Sequence, residues 1–201
     1  SSAIFTLKSN ADTLVVYPFE FIFQLQYEIK QHTLYCSYTV QNLNEGDMYF
    51  SAGGHPAFKV PLNDHLQYDD YSLEFNNDTT LTHFLLDNGL TTAETQTINL
   101  DDKKLQLSNS LFYKDAIVLK HIKSDEIKLF SDKDPHGLTF CFEGFPYFGI
   151  WAAKDAPFVC LEPWCGIADN INHDQKLRNK EGINQLTAGA TWKRTWSVEL
   201  H

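Results

Sequence analysis

Apolar residues in this chain recur at every second position, segment after segment, and rarely at every third or fourth. Leu34, Cys36, Tyr38 and Val40 fall on one side of an extended segment, and Tyr35, Ser37 and Thr39 on the other. A side-chain period of two belongs to a β-strand with one buried face. The alternation returns at Phe21–Ile29, Ser72–Phe75, Ala116–His121, Ile127–Ser131, Leu138–Phe142, Gly149–Ala152 and Thr191–Leu200. Polar breaks at 42–47 and 131–137, rich in Asn, Asp, Gly and Pro, separate these runs as turn formers do. No stretch of helical period exceeds about two turns. Many short strands at steady spacing predict an all-β fold of antiparallel sheets closed into a sandwich or barrel. With no linker, repeat or low-complexity tract, residues 1–201 are expected to form one β domain.

Composition narrows the partners. The 15 Phe and 9 Tyr suit half-buried strands. A formal net charge of −10 excludes nucleic acid and anionic membrane surfaces as natural partners, since both need a basic face. No apolar run approaches the roughly 20 residues of a membrane span. Ser1-Ser2-Ala3 has none of the regions of a signal peptide, and Ala3–Lys8 already reads as strand. The expectation is a soluble, cytoplasmic protein whose first residues lie inside a larger fold. Cys36, Cys141, Cys160 and Cys165 form no CxxC pair and sit mostly in apolar runs, so four free thiols are expected. A zinc site built on Cys160 and Cys165 lacks a second ligand pair, and no metal is expected.

Two segments carry the chemistry. In Gly53-Gly54-His55-Pro56 the glycines permit close backbone approach, and Pro56 drives His55 into an extended geometry. Histidine is the side chain whose charge is most easily moved across neutral pH. In Phe158-Val159-Cys160-Leu161-Glu162-Pro163-Trp164 a carboxylate ends an apolar, strand-like run. Such surroundings raise its pKa and make it the stronger base once ionised. Together the two are sufficient for general acid–base work at one carbon centre. Read singly, His55 could be a turn histidine bonded to a neighbour, and Glu162 a glutamate leaving the sheet to meet a lysine.

Asp115 abuts another apolar run and could accept hydrogen bonds from sugar hydroxyls, although a charged strand start is the plainer account. Trp151, Trp164 and the aromatics of 145–148 could stack on sugar rings or belong to the core. Lys176, Arg178 and Lys180 could attract a phosphate or form a solvated loop face. The long polar stretches Leu62–Tyr71 and Gly166–Asn184 follow the two key segments, and their length inside a compact domain points to function. No phosphate-binding loop, nucleophile elbow or zinc signature is present.

Taken together, Ser51–Phe58, Lys114-Asp115-Ala116, Tyr147–Trp151 and Cys160–Asp169 resemble the aldose 1-epimerase (galactose mutarotase) family, nearest its LacX-type branch. The tail 179–186 is similar to that branch as well. The resemblance implies a β-supersandwich, of which this chain would be the C-terminal two thirds. It implies cofactor-free interconversion of the α and β anomers of a sugar, and hence a small-molecule sugar as partner. His55 corresponds to the general acid, Glu162 to the general base and Asp115 to an acidic substrate ligand; Trp164 borders the sugar. Pro163-Trp164 stand where the galactose branch has Thr-Gln, so galactose specificity is not implied. Two other functions fit the same residues: a hexose-6-phosphate 1-epimerase, and a sugar-binding or regulatory protein without catalysis.

Overall fold

The computed structural model describes residues 1–201. Seventeen strands follow one another with a single short α-helix, α1 (Ala11–Val16), in the connection between the first two, and three 3-10 turns. In chain order they are β1 (Ser2–Lys8), β2 (Phe21–Lys30), β3 (Thr33–Asn42), β4 (Met48–Phe50), β5 (Ala52–Gly53) and β6 (Ala57–Lys59). Next come β7 (Ser72–Phe75), β8 (Thr80–Asp87), β9 (Leu90–Asn99), β10 (Lys104–Gln106), β11 (Ile117–Leu119) and β12 (Glu126–Ser131). The last are β13 (Asp134–Cys141), β14 (Tyr147–Trp151), β15 (Phe158–Cys165), β16 (Asn184–Leu186) and β17 (Thr191–Leu200).

Two large antiparallel sheets pack face to face, in the strand orders β1-β2-β3-β17-β13-β12-β7-β10 and β5-β15-β14-β11-β8-β9. Strand β6 pairs with β15 beyond β5, and β16-β4 form a small ribbon. The period of two decides which side chains meet. Leu73, Ile127, Leu129, Phe140, Trp196 and Val198 from the first sheet meet Ile117, Leu119, Phe148, Ile150, Val159 and Leu161 from the second in one core. Phe140 stands edge-on to Phe58 and to Phe148 with ring centroids 5.9 and 6.0 Å apart, geometries that add to simple burial. A buried phenylalanine of this kind is worth about 3–5 kcal/mol against alanine.

The other face of the second sheet carries Cys160, Glu162 and Trp164 of β15, Tyr147, Gly149 and Trp151 of β14, and Val118 of β11. The same parity that points Leu161 inward points Glu162 outward. At the far edge of the first sheet the apolar face runs past its cover: Phe5 is 62%, Ile29 53% and Leu200 61% exposed.

Three expectations are adjusted. Asp134–Gly137 belong to β13 and not to the break before it, because Asp134 pairs with Ser131 in a tight hairpin. The hairpin β8–β9 lies outside the segments that alternation marks; its strands are threonine-rich and half exposed, so their alternation is faint. Its Asn88-Gly89 turn, with φ of 49° and 79°, was the available signal. Leu62–Tyr71 is bound into the sandwich: Asn63 donates to Asp134, and the Tyr71 hydroxyl accepts from two loop amides. No helix is long and apolar enough to cross a membrane.

Candidate active site

The site forms where one edge of the second sheet is interrupted. Gly53 of β5 pairs with Trp164, and Ala57 of β6 pairs with Cys160. Between these rungs Gly54, His55 and Pro56 face Pro163, Glu162 and Leu161. Two backbone bonds sew the segment down: Gly54 N–H donates to the Pro163 carbonyl at 3.0 Å, and Leu161 N–H to that of Pro56 at 3.2 Å. His55 is therefore set directly across from Glu162, and its Nε2 lies 3.4 Å from Glu162 Oε1. The imidazole side is 61% exposed and the carboxylate only 6%. The His55 ring also stands edge-on to Trp151 at 5.8 Å, which restricts its rotation.

Burial pushes the Glu162 carboxyl above its ordinary pKa; the His55 charge and the Trp164 side chain pull it back. Burial, reinforced by the charge of Glu162, lifts the Cys160 thiol to about 12, so Cys160 stays a protonated, inert neighbour. The arrangement suits a base that is strong when ionised, beside an open group able to give and take a proton.

Two glycines make the geometry possible by what they omit. A Cβ on Gly54 would lie 2.8 Å from Trp196 Nε1 and 3.1 Å from the Tyr38 hydroxyl. Gly149 is paired with Glu162 on β14. There a Cβ would stand 2.4 Å from two atoms of the Trp164 indole, so the indole packs directly on Gly149. The aromatics of Tyr147-Phe148-Gly149-Ile150-Trp151 are visible in the sequence; the seat that Gly149 gives the indole is a contact that no spacing reveals.

Trp164 and Gly53 also line a cavity of about 370 Å³ with Leu86, Val118, Ile167 and Lys180. Asp115 stands exposed at the foot of β11, beside the cavity-lining Ala116, whose N–H its carboxylate accepts at 2.7 Å. The loop Gly166–Asn184 is strapped across this face. Buried Lys120 holds Glu181 at 2.8 Å, and Thr91 N–H donates to Asp169 O at 2.8 Å. A second polar cavity, about 480 Å³, lies within residues 169–181 of the loop itself.

The basic cluster does not act as a unit. Lys180 is paired with Asp169 at 2.7 Å and Lys176 with Asp174 at 3.8 Å, while Arg178 is exposed. All four cysteines are free. Cys160 and Cys165 lie five apart on one strand and so face opposite ways, which rules out the zinc pair weighed from sequence. The donors that could hold a cation are His55, Cys160 and Glu162, all within 4.8 Å of one another. A metal there would occupy the lone pairs that any proton transfer by this pair would need, so the two uses would exclude each other.

The family model described as aldose 1-epimerase matches residues 1–199. Chromosomal protein LacX of Lactococcus lactis subsp. lactis is 31% identical over 205 residues, covering all of this chain and 69% of that one. Among solved structures, a galactose mutarotase related enzyme from Lactobacillus acidophilus superposes with a TM-score of 0.92 at 29% identity, covering 100% of this chain and 68% of the other. A galactose mutarotase-like protein from Lactobacillus casei gives 0.87 at 30%, with coverage of 100% and 70%.

Proposed function

This chain belongs to the aldose 1-epimerase family, and from that footing we propose that it interconverts the α and β anomers of a free hexose by opening and reclosing the sugar ring. One observation carries the reading: a buried carboxylate and an open imidazole, 107 positions apart by number (162 − 55), meet at 3.4 Å. The C1 hydroxyl and the ring oxygen hang from the same carbon. An acid and a base serving the two must themselves be neighbours.

Glu162, ionised, takes the proton of the C1 hydroxyl as the bond from C1 to the ring oxygen breaks. Protonated His55 gives its proton to that oxygen. The open form is an aldehyde with a hydroxyl at C5. Rotation about C1–C2 presents the other carbonyl face, and ring closure returns both protons to their donors. The cycle therefore closes with no net proton or electron transfer. Trp164 walls the substrate beside Glu162, and Asp115 accepts from a sugar hydroxyl. Lys180, the lysine that lines the cavity, is tied to Asp169, which favours an uncharged sugar over a phosphorylated one.

Polarimetry of freshly dissolved α-glucose and α-galactose tests the proposal. The protein is expected to speed the drift to equilibrium, and Glu162→Gln to cut that rate by about a hundred- to ten-thousandfold. Retained activity in the variant would sink the assignment. Saturable sugar binding without acceleration would make the chain a binding protein instead.

A further inference from the structure

We infer that Lys180, held in place by Asp169, is a specificity-determining residue that binds a neutral sugar hydroxyl remote from the anomeric carbon. The inference rests on the anomer-exchange reading and names the part of the substrate that the cavity beside Trp164 receives.

That cavity is lined by small and apolar groups, and Lys180 is the one charged side chain among them; the Ser51 hydroxyl is the other polar side chain. The cavity and the acid–base pair share a wall. Trp164 and Gly53 line it, and Trp164 is two residues from Glu162 on the same strand face. On this inference a hexose with C1 at Glu162 extends its other end along the indole into this cavity, where Lys180 stands.

The Lys180 side chain is only 20% exposed, and its ammonium makes one hydrogen bond, to Asp169 Oδ1 at 2.7 Å. An ammonium has three donors. The remaining two have no protein partner, and Lys180 lines both this apolar cavity and the polar cavity of the loop, where Asp169 also stands; a donor left without a partner there is costly. Asp169 is itself fixed by the backbone: Thr91 N–H donates to its carbonyl, and the Thr91 hydroxyl approaches the same atom at 3.4 Å. The pair thus offers directed N–H donors with no net charge. Such a device suits a hydroxyl, an acceptor without formal charge, and not a phosphate, which would bring a second anion against Asp169.

The test compares glucose with glucose 6-phosphate for the wild type, Lys180→Met, Lys180→Arg and Asp169→Asn, each checked for a native circular dichroism spectrum. Lys180→Met is expected to raise KM for glucose about ten- to a hundredfold, the weight of a charged hydrogen-bond donor, while kcat changes less than about threefold. Lys180→Arg should recover part of the loss. Asp169→Asn frees the cation and is expected to shift the ratio of kcat/KM toward the phosphorylated sugar by about tenfold. A merely structural loop contact would not shift that ratio. An unchanged KM in Lys180→Met, or an unaltered substrate ratio in Asp169→Asn, overturns the inference. Glucose binding followed by tryptophan fluorescence separates the two readings. Tight binding by a wild type without exchange activity, weakened in Lys180→Met, would refute anomer exchange and support the Lys180 contact; equal binding by both would refute the contact.

Discussion

Replacing Glu162 with glutamine is expected to make the protein more stable at neutral pH while silencing it. The carboxylate is 6% exposed, and the one charged partner within reach is His55 Nε2 at 3.4 Å. Because that imidazole is 61% exposed, water screens the attraction to about 1 kcal/mol or less. Withdrawing a carboxylate from water costs several kcal/mol even after relaxation. Desolvation therefore wins, and the folded pKa lies above the ordinary 4.5. A carboxyl with a raised folded pKa binds its proton more tightly in the native state. It favours folding below the unfolded pKa, and that contribution is lost as pH rises through the folded value, at about 1.4 kcal/mol per unit of difference. An amide of the same shape escapes the loss. Glu162→Gln should thus be more stable than wild type near pH 7.5, by about 0.5–2 kcal/mol, the usual gain from relieving one unfavourable group, the gap closing as pH falls. Urea unfolding followed by tryptophan fluorescence at the two pH values measures it. A variant less stable at neutral pH would mean that the partners of the carboxylate outweigh its burial, and the reasoning would fail.

Other perturbations follow from the same contacts. Gly149→Ala should leave the sandwich folded at a cost of about 1–3 kcal/mol but force the Trp164 indole off β14; a shifted emission maximum together with lost anomer exchange would report it, and an unmoved indole would contradict it. The strap from Lys120 to Glu181 should respond unequally at its two ends. Glu181→Gln strands a buried ammonium that is 7% exposed and should cost about 2 kcal/mol; Lys120→Met leaves a glutamate 38% exposed, which water can solvate, and should cost less than about 1 kcal/mol. Both should speed proteolysis within residues 166–184, and equal losses of stability would count against the burial argument. Gly54→Ala must push aside Trp196 or Tyr38, so His55 is expected to lose its place opposite Glu162 and exchange to fall at least tenfold, read by polarimetry.

Alternation of apolar residues was enough to make this an all-β chain and to say which side of each strand faces inward. Period two is local, and burying one face of a strand needs no knowledge of its partner. The same parity places Glu162, at the end of an apolar run, on the face opposite Leu161. The two-glycine segment before His55 was equally legible as a place of close approach. Where alternation is faint, as in the threonine-rich hairpin β8–β9, the reading failed, because a half-exposed strand gains little from a strict pattern. What no local pattern holds is the meeting of His55 with Glu162. That depends on β5 and β6 pairing with the two ends of one edge of β15, with three residues on each side facing across the gap between them, a register set by how the whole sheet closes. The indole over Gly149, the strap from Lys120 to Glu181 and the pairing of Lys180 with Asp169 are likewise contacts across strands and loops. Sequence proposes the chemical groups, since side-chain identity and strand parity are written locally. Tertiary structure decides which of them meet, since distance along the chain carries no information about distance across a sheet.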